Sequence, residues 1–299
     1  MSGLVMVEGL PGSGKSTTAH EVGTWLAGQG AAVEQWPEGR TDHPVDLEQV
    51  SVLTNEDVVR LLAEMPSAAD GFIRTAERAG DAWLVRLGQH PELPADLVER
   101  LRRHDGYDGD VTPELHSRVL TDSWQRYGAR PPRAAVQVWE CVLLQNPGCA
   151  FVARFDEPAS VLEAHVRGLV AAVSAHAPVL VYLDAGDPEP VLRRAAAERP
   201  ASWLEAVVEY HTRQGWGLAR GLEGFEGYVE FMRHRREVEL DLLPRLPLPT
   251  LVVRTDTGSW DEHTDRIRAF VGGHLGIGAA GAAGTAGTAG TAPEPERAA

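Results

Sequence analysis

The chain has 299 residues, 43% of them hydrophobic, enough for one large domain or two small ones around a substantial core. Its formal charge of −15 and pI near 5.2 argue against a nucleic-acid or anionic-membrane partner, because both are polyanions that attract lysine- and arginine-rich faces. A small-molecule partner fits that charge better, and self-association into an oligomer stays open.

The N-terminal apolar run Leu4-Val5-Met6-Val7 is followed at once by Glu8 and then by Lys15, so no cleavable signal is expected. No apolar run reaches membrane-spanning length, and the expected compartment is the cytoplasm. This first run reads as a strand broken by a turn over Gly9–Gly14, after which Ala19, Val22 and Leu26 recur at helical spacing through Ser16–Leu26. Ala31–Trp36 reads as a second strand ending at Pro37-Glu38-Gly39. Over about 41–133 the pattern is mostly helical, with segments Glu56–Met65, Gly71–Leu87, Pro94–His104 and Thr112–Tyr127 punctuated by proline and glycine. A helical insertion is expected there.

Ala134–Trp139 is rich in strand formers, Pro158–Ala175 is helical in pattern, and Val179–Leu183 is a fully apolar strand ending in Asp184. Helices are expected around Pro190–Arg199, Ser202–Thr212 and Gly227–Leu243, then a last strand over Thr250–Val253 and a last helix over Asp261–Leu275. Parallel strands need crossover connections, so this alternation predicts an α/β fold of three layers, with about five parallel strands covered by helices on both faces. One domain over 1–275 is expected, followed from Gly276 by an Ala-Gly-Thr tail too small and polar to bury anything and therefore expected to be disordered. The two cysteines, Cys141 and Cys149, form neither a disulfide framework nor a zinc pattern and read as small apolar residues.

Gly9-Leu10-Pro11-Gly12-Ser13-Gly14-Lys15-Ser16 fits the pattern G-x-x-x-x-G-K-[ST] and lies between a strand and a helix, the context that such a phosphate loop requires. Glycines allow successive backbone N–H groups to turn toward an anion, and the helix start adds its partial positive charge. With Thr17 closing the set, Gly9–Thr17 are the expected contacts of ATP, Lys15 reaching its β- and γ-phosphates and the Ser16 hydroxyl ligating Mg²⁺. Lys15 is the only lysine in the chain. A compact ammonium fits between phosphates where a planar guanidinium does not.

In open α/β sheets a ligand lies beyond the carboxyl ends of the strands, which singles out Glu38, Glu140 and Asp184. Glu140 is placed to hold Mg²⁺ directly or through water, and Glu38 to take the proton of an attacking hydroxyl. Asp184, taken alone, looks like a Walker B aspartate, since four apolar residues and a tyrosine precede it.

Together these pieces resemble the thymidylate-kinase and deoxynucleoside-kinase group of P-loop kinases. The likeness rests on the loop Gly9–Thr17; on Val33–Gly39, although the order here is Pro37-Glu38 where those kinases have Glu-Pro; and on Val136–Glu140, where Cys141 stands in place of an arginine whose nucleoside contact therefore does not carry over. It rests also on Tyr182-Leu183-Asp184 with Asp187-Pro188-Glu189 and Leu192-Arg193-Arg194, similar to a strand and lid helix whose arginines clamp the moving phosphoryl group. The resemblance implies that Glu140, beside the strand of the phosphate loop, is the metal-binding acid, that Asp184 lies near the lid, and that Arg193, Arg194 and Arg199 are lid candidates. The segments Glu140–Pro147 and Glu198–Trp203 are similar to a little-characterised thymidylate-kinase-like family, which brings no substrate with it. The insertion falls where such kinases place acceptor-binding elements, making Arg40, His43, Asp46, Trp83 and Arg86 candidate acceptor contacts.

The expected activity is transfer of the γ-phosphoryl of ATP to a hydroxyl or phosphate of a small molecule: a nucleoside, a nucleotide or a specialised metabolite such as an antibiotic. The alternatives are a nucleotide-dependent regulatory ATPase or switch with no acceptor, and an inactive ATP-binding module. A GTPase is disfavoured, since the chain has no Asn-Lys-x-Asp segment and its one lysine is already used.

Overall fold

The computed structural model describes residues 2–277. The chain runs through β1 (Gly3–Gly9), α1 (Lys15–Gly28), β2 (Val33–Trp36), β3 (Val50–Thr54), α2 (Asn55–Glu64), α3 (Ala69–Thr75), β4 (Ala76–Ala79), β5 (Ala82–Arg86), α4 (Ala95–Arg102) and α5 (Pro113–Gly128). It continues through β6 (Val136–Glu140), α6 (Gln145–Pro147) with a π-helical extension Gly148–Arg154, α7 (Ala159–Ala172), β7 (Pro178–Asp184), α8 (Pro188–Glu198), α9 (Ala201–Thr212), α10 (Gly215–Ala219), α11 (Gly224–Leu242), β8 (Thr250–Arg254) and α12 (Trp260–Leu275).

Five strands form one parallel sheet in the order β2-β6-β1-β7-β8. β1, β6 and β7 are buried along their whole length, as strands covered on both faces must be. Their side chains alternate between two cores. Leu4, Met6, Trp139, Leu180 and Tyr182 face the larger one, with Trp124 of α5 and Phe231 of α11. Val5, Val7, Val138, Val179 and Val181 face the other, sealed by Ala19, Val22 and Leu26 of α1 and by Ile267 and Val271 of α12. The chain leaves β1 for the edge position β2, returns to insert β6, and then crosses to β7 on the far side. The carboxyl end of β1 is therefore the point where the winding direction switches, and a crevice opens there.

The stretch expected to be a helical insertion is mixed instead. Gly71–Leu87, read as one helix, is a short helix followed by the hairpin β4–β5, and β3 joins them in a separate antiparallel sheet of order β3-β5-β4. Ala79 pairs with Ala82 across the two-residue turn Gly80-Asp81, and Gly80 takes a φ of 62° that a side chain would resist. Neighbouring residues on these strands enter opposite cores, Val50, Val52 and Leu84 the larger one and Leu53 and Val85 a smaller one, the two-sided burial of a strand. Leu53 and Val85, with Leu61, Phe72 and Leu97, form a third small core beneath α2, α3 and α4.

The tail expected to be disordered from Gly276 begins in order: Gly276 closes α12 in the left-handed conformation, and the Ile277 N–H bonds the Gly272 carbonyl at 2.8 Å as its side chain packs against the second core, while 278–299 lie outside the described residues. No described helix is long and apolar enough to cross a membrane.

Candidate functional site at the carboxyl end of the central strands

The segment between β1 and α1 is shaped by what a side chain would hit. At Gly9, φ is 144° and an added Cβ would lie 2.5 Å from the Leu183 carbonyl oxygen; at Gly14, φ is 98° and it would lie 2.6 Å from the Trp260 ring. Gly14 precedes a 14-residue helix with no capping side chain and no acid in its first turn. The first amide N–H groups of α1 are thus left for an outside partner carrying negative charge. The buried hydroxyls of Ser13 and Thr18 likewise have no hydrogen-bond partner. Lys15, 6% exposed, folds over the loop and donates from Nζ to the Leu10 carbonyl at 3.1 Å.

Glu140 ends β6 opposite Val7 of β1, and Ser16 Oγ donates to its Oε1 at 2.5 Å. The backbone N–H of Glu38 reaches its other oxygen at 3.4 Å. The Glu38 carboxylate accepts from Gln145 Nε2, and from the Cys141 thiol at 3.4 Å. Ligand atoms of Glu38, Glu140 and Cys141 lie within 4.8 Å of one another. Burial pushes the Cys141 thiol well above its ordinary range, so it stays protonated and donates. With the Glu38 oxygens engaged by Gln145 and Cys141, what remains for a cation is the oxygen pair of Ser16 and Glu140, which suits hard Mg²⁺ better than a soft metal.

Two hollows adjoin the loop. A cleft of about 470 Å³ runs from Gly14, Lys15 and Ser16 past Glu38 and Gln145 toward Trp203 on α9 and Tyr228 and Arg235 on α11. On the other side, a groove of about 620 Å³ lies between the loop, Arg194 on α8, and Thr255, Asp256 and Trp260 after β8. The three arginines read as lid candidates separate accordingly. Arg199 lines the cleft, its guanidinium 4.3 Å from the Trp203 ring centroid. Arg194 lines the groove. Arg193 points outward, paired at 2.8 Å with both Glu189 and Glu226 and stacked on Phe225.

The five acceptor candidates also divide. Arg40, His43 and Asp46 surround a smaller hollow of about 210 Å³ behind Glu38 and Glu140. Each is engaged: Arg40 with Asp42 and the Trp36 ring, His43 edge-on between Trp36 and Trp139, and Asp46 with Tyr107 Oη at 2.5 Å and Asn146 Nδ2 at 3.0 Å. Burial lowers His43 to about 3, so its ring is neutral. Trp83 and Arg86 lie on β5 and line neither hollow: Trp83 bonds Asn55 and stacks with Arg78, and Arg86 approaches Glu77 and the Asp46 carbonyl.

Several lining residues carried no sequence signal of their own. Glu48, beside Glu38 in the cleft, is pushed up to about 7 by burial and then by Asp46, Asp105, Asp108 and Glu38. Arg235, 1% exposed, pairs through Nε with Glu239 Oε1 at 2.6 Å, while Tyr182 Oη bonds the other Glu239 oxygen at 2.7 Å. Their i,i+4 spacing was visible, but nothing in it said that the pair is buried. Glu8, inside the apolar β1, accepts from the backbone N–H of Leu143 at 2.7 Å and of Gln145 at 3.1 Å and so fixes the loop after β6.

No protein-family model matches the chain, and the curated proteins contain no match to it.

Proposed function

We propose that the chain is an ATP-dependent phosphotransferase built on a P-loop, with a small-molecule acceptor in the 470 Å³ cleft. The observation that carries this reading is the Ser16–Glu140 hydrogen bond beside Glu38. It joins the helix after the glycine loop to a strand-end carboxylate, and a second carboxylate, Glu38, lines the cleft together with Ser16. The phosphates would lie on the free amide groups at the start of α1 with Lys15 swung from Leu10 onto them, and the base in the groove between Arg194 and Trp260. Ser16 and Glu140 would hold Mg²⁺, which when bound neutralises phosphate charge. Glu38 is positioned to take the acceptor proton, its Oε1 oriented by Gln145. Arg199 is the lid cation available to the moving phosphoryl group. A nucleotide switch would need no acceptor cavity, whereas this cleft extends past the loop to α9 and α11.

ADP release measured against a panel of hydroxyl compounds, nucleosides and nucleotides tests the proposal. Lys15→Ala should lower acceptor-stimulated turnover by at least about 10³-fold while the protein keeps its fold, since the one hydrogen bond of its ammonium is to the Leu10 carbonyl of the loop itself. Retained turnover would sink the reading. Glu38→Gln should leave ATP affinity nearly unchanged and lower turnover by roughly 10²–10⁴-fold, the range of a lost general base. Equal losses in affinity and turnover would remove Glu38 from that role.

A further inference from the structure

The acceptor wall of the cleft is acidic and short of free cations. Glu38, Glu48 and Asp108 all line it, and Asp46 and Asp105 stand near enough to raise Glu48 further. Glu48 makes no hydrogen bond or ion pair with any described residue. The cations on this side are committed: Arg40 to Asp42, Arg86 to Glu77 and the Asp46 carbonyl, and Arg154 to the carbonyls of Tyr107 and Gly109. The far wall holds Arg235, which pairs through Nε with the buried Glu239 and leaves one terminal nitrogen unpartnered, and Arg199, stacked on Trp203 and assigned above to the moving phosphoryl group. A phosphate monoester placed against this wall would meet carboxylates whose neighbouring arginines, Arg40, Arg86 and Arg154, are already committed elsewhere.

A second, independent observation concerns Gln145. Its Nε2 is used by Glu38, and its Oε1, on a side chain only 8% exposed and lining the same cleft, has no partner. A buried, unpartnered carbonyl oxygen in a cleft lined by three carboxylates calls for a ligand N–H or O–H donor.

Resting on the phosphotransferase reading, we infer that the acceptor is an amino alcohol without phosphate: its hydroxyl meets Glu38, and its protonated amine sits among Gln145 Oε1, Glu48 and Asp108. In the transfer step the hydroxyl oxygen forms a bond to the γ-phosphorus of ATP, and the bond to the β–γ bridging oxygen breaks. ADP leaves with that electron pair, and the hydroxyl proton passes to Glu38. An ammonium group beside Glu48 also favours its charged form, so binding relieves the repulsion among the acids.

The test uses the full chain with ATP and Mg²⁺, following ADP release with glucosamine, an aminocyclitol, N-acetylglucosamine, thymidine and thymidine monophosphate. The expected result is turnover with the free amines at a kcat/KM at least tenfold above N-acetylglucosamine, and none with the monophosphate. Glu48→Gln, and separately Asp108→Asn, should lower kcat/KM about tenfold for the free amines, through KM, and leave N-acetylglucosamine unaffected. Preference for thymidine or its monophosphate overturns this inference while supporting a kinase, as does equal use of the amine and its acetylated form. Silence with every acceptor overturns the phosphotransferase reading as well.

Discussion

The two strands that flank β1 both end in a buried carboxylate after an apolar run, yet the two acids live in opposite surroundings. Glu140, closing β6, meets a hydroxyl, a backbone N–H and another carboxylate, with no arginine on it. Asp184, closing β7, is gripped by Arg236 through two hydrogen bonds of 2.6 and 2.8 Å, approached by Arg254 at 3.4 Å, and also accepts from the Gly186 N–H. One carboxylate keeps charge to offer a cation. The other has spent it fastening α11 and the end of β8 to the sheet. Position at a strand end makes an acid eligible for chemistry; the counter-charge around it decides whether it is used.

Exchanging each acid for its amide breaks the comparison in the most direct way. Glu140→Gln should lower turnover by about 10²-fold, with partial recovery at high Mg²⁺, because the amide still accepts from Ser16 but no longer attracts the ion. Asp184→Asn should instead leave the Mg²⁺ dependence unchanged and cost about 3 kcal/mol of stability, because it leaves the buried end of a doubly bonded arginine pair without its charge. Titrating Mg²⁺ against activity, alongside denaturant melts of both variants, checks the pair. If Asp184→Asn shifts the Mg²⁺ midpoint while Glu140→Gln only lowers stability, the two assignments are reversed.

The contrast also marks how far the sequence could be read. The strand–loop–helix at the N-terminus and the five parallel strands follow from local apolar runs and the helices between them, whereas the place of Glu140 beside β1 was implied only by the resemblance to P-loop kinases. The hairpin β4–β5 has its local signal in Gly80-Asp81, but the helical spacing of the residues around that turn competes with it. Partners distant in sequence were not legible. Nothing near Asp184 announces that Arg236, 52 residues on, will neutralise it, and nothing near Glu38 announces Gln145, 107 residues on. Trp83 and Arg86 show the same limit from the other side. Their chemistry suits an acceptor site, but antiparallel pairing with β3 carries them away from the cleft.

Between these two strands, Glu8 on β1 supplies a third acid, and it sharpens the comparison because no cation among the described residues forms an ion pair with it. Burial raises its carboxyl from the ordinary 4.5 to about 7, partly offset by the N–H groups of Leu143 and Gln145 and reinforced by Glu239. The folded state therefore holds a proton on Glu8 over a range where the unfolded chain has released it. A carboxyl raised on folding favours the folded state in acid, and that contribution is lost as pH rises from 4.5 toward 7. Buried histidines work against it: His43 and His165 at about 3, and His116 and His211 at about 4, must stay neutral when folded and cost stability as pH falls below 6.5. The parent protein alone thus cannot isolate Glu8, but a variant can. Glu8→Gln is uncharged at every pH and keeps one acceptor oxygen for the two N–H groups, so it should be less stable than the parent at pH 5. It should regain about 2 kcal/mol relative to the parent between pH 5 and pH 7, as the parent becomes charged and the variant does not. Denaturant melts of both proteins at the two pH values measure this difference directly. A constant gap would mean that Glu8 is ionised throughout and that its two backbone donors outweigh its burial.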